Sequence, residues 1–292
     1  MKKTIIGILG LGLVVVALTL TICSVPDPLI SRQDVLMAGD IERVKFLIAV
    51  GADINEPNTK GVTPLHVVAQ EGYPALAQLL IAYGANLHTR YQNLWTPLHL
   101  AAQSGHLEVT NLLIAYGANV NGPKDTFTPL HFAAQEGHLG TARLLIAHGA
   151  NVQGQYKNGW TPLHLAAQEG HTDMVTFLLD HGAFIHAKNA FGFTPLHSAA
   201  FLGQLTTTIR LVERGAAVMV KDTSGQTPHH LALAGNYHAV AEFLRKYDDP
   251  KEDLEEESSK RSPSPILPDR YHDRDRDPSR EPFPDGDVWK TA

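Results

Sequence analysis

The sequence has a single cysteine, no excess of positive charge and no Asn-x-Ser/Thr glycosylation sequence in its 292 residues. One cysteine, Cys23, excludes an intramolecular disulfide and a metal cluster built from cysteines. Residues 248–292 hold 14 Asp/Glu and 8 Lys/Arg, which accounts for the whole net charge of −6 and leaves the rest neutral. The basic surface that nucleic acids require is absent, so no nucleic-acid partner is expected. The missing glycosylation sequence slightly favours a bacterial envelope over a glycosylating secretory route.

Charge is also missing from residues 4–23, which follow Lys2 and Lys3. Signal peptides, lipoprotein signals and membrane anchors all begin in this way. An apolar run of this length fits a membrane-spanning helix better than the core of a signal peptide, which is usually about 7 to 15 residues long. Residues 1–25 are therefore predicted to form an N-terminal hydrophobic helix that serves as membrane anchor or as signal or lipoprotein segment.

The residues around Cys23 leave the fate of this segment open. Leu20-Thr21-Ile22-Cys23 resembles a bacterial lipobox, except that Ile22 stands where that family needs a small residue. Cys23 is therefore a candidate lipidation site, beside an uncleaved anchor and simple secretion. In all three cases the rest of the chain crosses the membrane. We expect it on the extracytoplasmic side, in a bacterial envelope or periplasm, with secretion as the alternative.

A tetrapeptide recurs along the middle of the chain at intervals of 33, 32, 33, 33 and 33 residues. A fixed period of this size predicts a stack of supersecondary units. The six copies are Thr63-Pro64-Leu65-His66, Thr96-Pro97-Leu98-His99, Thr128-Pro129-Leu130-His131, Thr161-Pro162-Leu163-His164, Thr194-Pro195-Leu196-His197 and the altered Thr227-Pro228-His229-His230. The pattern resembles the ankyrin repeat over residues 29–247, and with the N-terminal segment it resembles a bacterial-type exported or membrane-anchored ankyrin protein.

One unit shows why the pattern predicts two helices. Thr161 can cap a helix whose first residue is Pro162, and Gly170 supplies the left-handed residue that ends it. A second amphipathic helix follows and closes at Gly182, and an extended hairpin, the finger, leads to the next unit. The predicted fold is an all-α ankyrin-repeat solenoid of helix-turn-helix units with short β-like fingers. Residues 29–247 hold about seven units, including two caps, the first of which spans residues 30–50.

Two local departures modify this pattern. Asn236 stands where other units have glycine, and asparagine also enters left-handed geometry. The finger at residues 117–127 is one residue short, so its tip is predicted to be reshaped. Past Tyr247, residues 248–292 combine dense charge with many prolines and few aliphatic side chains. They are predicted to be a disordered acidic, Pro-rich tail, because they cannot bury enough apolar surface to offset ordering.

Sixteen histidines suggest a metal site, but most of them recur once per unit. Ligands of one metal must converge, whereas repeated histidines are spread along the stack. In ankyrin repeats the histidine of Thr-Pro-Leu-His bonds finger and helix backbone, which the resemblance implies here. Neither a nucleophile elbow nor a phosphate-binding glycine loop is present, and no segment of domain size is left over. We predict no metal, no cofactor and no enzymatic activity.

Binding residues are sought where the repeat does not dictate the side chain. The residue before Thr-Pro is aromatic in four consecutive units, which suggests an exposed stripe, and the Gln-Glu pair before the turn glycine becomes Phe-Leu in the sixth unit. The alternative is that these aromatics pack on neighbouring fingers and stiffen the array. The predicted partner-binding residues are Trp95, Phe127, Trp160, Phe191, Phe193, Phe201 and Leu202.

The leading hypothesis is a monomeric protein-protein interaction scaffold, tethered to the membrane through residues 4–23 or exported. It would bind a protein partner through the groove between fingers and helices. A second hypothesis is an exported effector or protective chaperone, released after cleavage of the signal. A third and remote one is a histidine-metal hydrolase.

Overall fold

The computed structural model describes residues 39–91, 95–122 and 126–247. The N-terminal segment with Cys23, the first half of the first cap and the tail at 248–292 lie outside these residues, so their sequence-based predictions stay predictions. None of the helices formed by the described residues is both long enough and apolar enough to cross a membrane.

The described residues form thirteen α-helices, and their only β-pairing is two single bridges, Tyr91 with Trp95 and Tyr156 with Trp160. The predicted all-α solenoid is confirmed for this part of the chain. The helices are α1 Ile41–Ala49, α2 Pro64–Glu71, α3 Pro74–Ala82, α4 Pro97–Gln103, α5 Leu107–Ala115, α6 Pro129–Gln135, α7 Leu139–Ala147, α8 Pro162–Glu169, α9 Thr172–Asp180, α10 Pro195–Phe201, α11 Leu205–Glu213, α12 Pro228–Ala234 and α13 His238–Arg245.

The helices form two layers. The first helices of units two to seven are α2, α4, α6, α8, α10 and α12, and each packs on the first helices of its neighbours. The second helices, which begin with α1 in the first unit, form the other layer and pack in the same order. Small side chains permit the close approach of the layers: Ala166 and Ala167 of α8 are fully buried, as are their counterparts in most other units.

Each first helix begins at a threonine and a proline. Thr161 is extended at φ −111° and ψ 163°, its side chain accepts from His164 N, and Pro162 is the first helical residue. Proline costs nothing there, because the first amide of a helix has no partner within the helix. The predicted start of the first helix is confirmed in all six units.

The helix ends also follow the sequence. Gly170 ends α8 at φ +82° and Gly182 follows α9 at φ +86°. Asn236 has φ +59°, which confirms that asparagine replaces glycine in the last unit. Left-handed geometry is costly for most residues, so these positions set the length of each helix. The result is a nearly constant unit whose finger always leaves from the same side of the stack.

Candidate protein-binding site

The corner where finger meets helix is held by threonine and histidine. In the fifth unit, Thr161 Oγ1 and His164 Nδ1 are 2.8 Å apart, and the Thr161 N–H donates to the same Nδ1. The other ring nitrogen, His164 Nε2, is 3.0 Å from the Phe193 carbonyl oxygen in the next finger. The histidine thus joins its own helix to the following unit, as the resemblance implied.

The same bridge between units is made by His66, His131 and His197. Their Nε2 atoms lie 3.0, 3.2 and 3.3 Å from the carbonyl oxygens of Trp95, Trp160 and Gln226. Burial lowers the pKa of each of these histidines and of His164 to about 4, although the bonds to backbone carbonyls partly oppose the shift. The rings are therefore neutral at physiological pH, and both nitrogens are engaged.

His99 in the third unit departs from this pattern. Its Nε2 is buried and meets no hydrogen-bond acceptor at good geometry within the described residues, and neither does the nearby indole Nε1 of Trp95. Burial lowers the pKa of His99 to about 3, and the Phe127 carbonyl only partly offsets this effect. The finger that follows this unit is the one that is a residue short, and its tip lies outside the described residues. The predicted reshaping of that tip stays a prediction.

A second set of histidines connects the turns of adjacent units. The Nε2 atoms of His106, His138 and His171 lie 2.8, 2.9 and 2.8 Å from the carbonyl oxygens of Gln70, Gln103 and Gln135. Each ring covers the turn glycine of the preceding unit, so that a Cβ at Gly137 would lie 2.7 Å from His171 Nδ1. Two features therefore require glycine at this position: Gly137 has a φ of +75°, and the ring of His171 leaves no room for a Cβ.

Amide side chains form a third link, which the sequence analysis missed. Asn55 donates to the Gly84 carbonyl and accepts from Asn86 N, at 3.2 and 2.7 Å. Asn121 does the same with Gly149 O and Asn151 N, at 2.9 and 2.7 Å. Gln153 makes the corresponding bonds: it donates to the Gly182 carbonyl and accepts from the Phe184 N–H. These three amides occupy the same position of their units, which is filled by His88, His186 and Met219 in other units. Their recurrence at the repeat period is the signal that could have identified the link.

The fingers are of two kinds. In three of them an acidic or amide side chain folds back on the tip: Asn189 Oδ1 accepts from the N–H groups of Phe191 and Phe193, and Asn58 and Asp222 act alike. In two others tyrosine replaces it, and Tyr91 and Tyr156 pair with Trp95 and Trp160 through backbone bonds of 2.8 and 3.0 Å. The finger tips therefore differ between units while their bases stay alike.

The prediction that the four aromatic residues before Thr-Pro form an exposed stripe is wrong for three of them. Trp95, Phe127 and Phe193 are only 2%, 1% and 2% exposed. Trp95 and Phe127 pack edge to face with Phe132, at centroid distances of 4.9 and 4.6 Å, and Phe193 stacks on His197 at 5.5 Å. The alternative interpretation, that these aromatics stiffen the array, describes them better. The rings packed on them include Phe132 of the next unit for Trp95 and Tyr156 of the next finger for Phe127.

Four predicted binding residues remain accessible in part: Trp160, Phe191, Phe201 and Leu202. Phe201 contacts the buried Phe193 at a centroid distance of 6.2 Å, and Phe191 precedes Phe193 by two residues in the same finger. We call Phe191, Phe201 and Leu202 the apolar patch. At the positions of Phe201 and Leu202, units two, four and five carry Gln and Glu, so a pair of large apolar side chains at these two positions distinguishes the sixth unit from them.

The residues before the turn glycine in other units are polar but not uniformly solvated. Gln135 is buried, whereas Glu136 beside it is exposed. Burial raises the pKa of Glu71 on α2. Within the described residues, no group of three or more His, Cys, Asp or Glu side chains is placed to hold a metal ion.

A stack of helix pairs with a finger on each unit and a patch that is not dictated by the repeat defines a repeat solenoid that binds through its surface. The family models agree: "Ankyrin repeats (3 copies)" matches residues 34–124 and 121–189, and "Ankyrin repeat" matches residues 191–223. The chain belongs to the ankyrin-repeat family. Ankyrin repeats bind protein partners and are typically not enzymes, which makes this chain a protein-protein interaction scaffold.

A solved structure has the same fold, and two curated proteins are similar over a short part of the chain. The crystal structure of the human ASB11 ankyrin repeat domain is similar, with a TM-score of 0.69 and 27% identity over 75% of this chain and 97% of that domain. Protein phosphatase 1 regulatory subunit 27 of Homo sapiens and of Mus musculus is 38% identical over 53 residues, which is 18% of this chain. The chain spans about a third, 34%, of the length of these curated relatives.

Proposed function

We propose that the chain is a membrane-tethered or exported scaffold that captures a protein partner through the apolar patch on its sixth unit. The observation that carries the proposal is the replacement of the polar pair by Phe201 and Leu202 at the end of α10. Apolar surface at that position is not needed by the fold, because four other units carry a polar pair there. Large aromatic side chains at accessible positions are typical anchors of protein interfaces.

Phe201 and Phe191 of the apolar patch are held in place by packing and by backbone hydrogen bonds, so a partner would meet a preformed surface. Phe201 rests on Phe193, which is buried and stacked on His197. The Phe191 N–H donates to Asn189 Oδ1 at 2.9 Å, and the Phe191 carbonyl accepts from the N–H of Thr223 in the next finger at 3.0 Å. Little conformational entropy is then lost when a partner binds, which favours affinity. Trp160, half-buried one unit earlier, extends the same edge of the stack.

Truncation of the patch is expected to abolish capture without unfolding the stack. A pair of anchor residues contributes at least about 2 kcal/mol, so Phe201→Ala with Leu202→Ala is expected to weaken binding roughly 30-fold or more. The measurement is photo-crosslinking of the full chain in membranes of its own cells, with quantitative mass spectrometry of the captured proteins. The thermal unfolding midpoint of each variant checks that the fold is retained.

The fifth unit supplies the matched control for this experiment. Gln168→Ala with Glu169→Ala truncates the same two positions one unit away and is expected to leave the captured proteins in place. If both double variants capture the same proteins at the same level, the apolar patch is not the binding site. Trp160→Ala is an informative third variant, whereas Phe193→Ala is not, because loss of a buried ring would disturb the stack.

The membrane tether is the second part of the proposal, and the apolar residues 4–23 support it. With repeats beginning near residue 29, an uncleaved anchor would hold the first unit close to the bilayer. An intact Met1 in the mature protein means an anchor, a lipidated Cys23 means a lipoprotein, and a free N-terminus near Ser24 means an exported effector or chaperone. Mass spectrometry of the N-terminal peptide distinguishes the three, and protease protection in intact cells tests the extracytoplasmic location.

The other candidates have less support. A histidine-metal hydrolase needs free imidazole nitrogens, whereas His66, His131, His164 and His197 have both ring nitrogens engaged. The resemblance to a phosphatase regulatory subunit agrees with a role in binding another protein. Its 53 matched residues amount to little more than one and a half repeats, so they do not single out a phosphatase as partner.

A further inference from the structure

Three lysines lie on consecutive fingers near the C-terminal end of the stack: Lys157, Lys188 and Lys221. We call them the lysine row. All three are exposed, and within the described residues none of them takes part in an ion pair. The one contact of Lys157 is with the Tyr156 ring, whose centroid is 5.5 Å from Nζ. Three unpaired positive charges on neighbouring fingers form a surface that is suited to an acidic segment.

The fingers that carry the lysine row are bonded to one another. The Ala190 N–H donates to the Asn158 carbonyl at 2.6 Å, and the Thr223 N–H donates to the Phe191 carbonyl at 3.0 Å. A Cβ at Gly192 would lie 2.9 Å from Thr223 N, which shows how closely the backbones approach. The lysine row is therefore held at a fixed spacing.

Little negative charge lies on these fingers to neutralise the row. In the described segments 156–160, 189–193 and 222–226, the only carboxylate is that of Asp222, which is buried. Its Oδ1 accepts from the N–H groups of Ser224 and Gln226 at 2.7 and 2.9 Å. Because the Asp222 carboxylate is buried and hydrogen-bonded within its own finger, the lysines need another counter-charge.

The chain itself supplies acidic residues at the right place. Each earlier unit passes from its second helix through a glycine, such as Gly182 or Gly215, into the finger. Residue 248 stands 33 residues after Gly215, so in sequence register residues 248–257 correspond to the finger segment of the earlier units. This segment, DDPKEDLEEE, has seven acidic residues and one lysine.

We propose that the acidic segment 248–257 docks on the lysine row of the same molecule and covers the finger edge of units five to seven. Ten extended residues reach about 33 Å, and three units at about 10 Å each span a similar distance. Single exposed ion pairs are weak. A tether of this length keeps the segment at an effective concentration in the millimolar range, so several weak pairs are enough to hold it.

Zero-length carbodiimide cross-linking of the full chain in neutral detergent tests the proposal, because it joins only lysines and carboxylates that are in contact. The expected result is cross-links from Lys157, Lys188 and Lys221 to residues 248–257 at low salt, with a yield at least about fivefold lower in 1 M salt, where charges are screened beyond roughly 3 Å. A mixture of isotope-labelled and unlabelled chains should give links within single molecules.

The variants change lysines other than Lys157, so the yield of Lys157 cross-links can still be measured in each of them. Lys188→Gln with Lys221→Gln is expected to lower the Lys157 cross-links at least about fivefold, because the segment loses two of its three partners. Lys45→Gln, at the other end of the stack where Lys45 Nζ pairs with Glu42 at 2.7 Å, should leave them unchanged. Absence of links to residues 248–257, links mainly between molecules, or links that persist in the double variant would overturn the proposal. The binding role of Phe201 and Leu202 is tested separately and does not depend on this outcome.

Discussion

Lowering the pH from 7.5 to 5.5 is expected to reduce the free energy of unfolding by roughly 5 to 7 kcal/mol, a large fraction of the stability of an ordinary domain. The cause is a set of five buried histidines, one in each of units two to six. Burial lowers the pKa of His99 to about 3 and that of His66, His131, His164 and His197 to about 4.

The direction of the effect follows from proton binding. An unfolded histidine has a pKa of about 6.5, so at pH 5.5 the unfolded chain binds nearly one proton more than the folded chain at each site. Stability is therefore complete above about pH 6.5 and is lost as the pH falls towards 4. Each site contributes somewhat more than about 1 kcal/mol at pH 5.5 by this reasoning. Burial raises the pKa of Glu71, so its protonation opposes the loss to a small extent.

Urea unfolding followed by circular dichroism at pH 7.5, 6.5 and 5.5, at constant ionic strength, measures this loss. His164→Gln should lower the pH slope of stability by about one fifth, because one of five sites is removed. Phe184→Ala, which removes an exposed side chain that does not titrate, should leave the slope unchanged. A stability that stays level between pH 7.5 and 5.5 would show that these imidazoles are not held neutral by burial.

The helix boundaries could be predicted from the sequence because they depend on local chemistry. Thr161 and Pro162 favour the start of a helix, and Gly170 and Asn236 favour its end, because both preferences depend on backbone geometry near a single residue. The constant period then fixed the number of units and their order. The role of His164 was also foreseen, but through the resemblance to the ankyrin family.

Burial of the aromatic residues could not be read in the same way. Trp95, Phe127 and Phe193 precede Thr-Pro at a position outside the helices, where no helical periodicity predicts whether a side chain is buried. Trp95 and Phe127 pack on rings of the next unit or finger, Phe132 and Tyr156, whereas Phe193 packs on His197 and Phe201 of its own unit. The links made by Asn55 and Asn121 were missed for the same reason, because their partners lie about 30 residues away in the next unit.

Phe127→Ala is expected to destabilise the stack by about 3 to 5 kcal/mol, the usual cost of removing a buried aromatic ring. Phe127 is 1% exposed and its ring centroid lies 6.0, 4.6 and 5.1 Å from those of Trp95, Phe132 and Tyr156. These contacts cross from the third unit to the finger before the fifth. Because each unit is stabilised by its neighbours, the loss should appear first as increased hydrogen exchange in α4 and α6.

Phe184→Ala is the matched control, because it removes the same side chain from a position that is 67% exposed. It should change the free energy of unfolding by no more than about 0.5 kcal/mol. Urea unfolding of both variants at pH 7.5 separates the two interpretations of the aromatic series. A cost below about 1 kcal/mol for Phe127→Ala, together with loss of captured partner, would mean that the ring faces solvent and belongs to a binding stripe after all. A large cost assigns Phe127 to the core of the stack and leaves Phe201 and Leu202 as the side chains through which a partner is recognised.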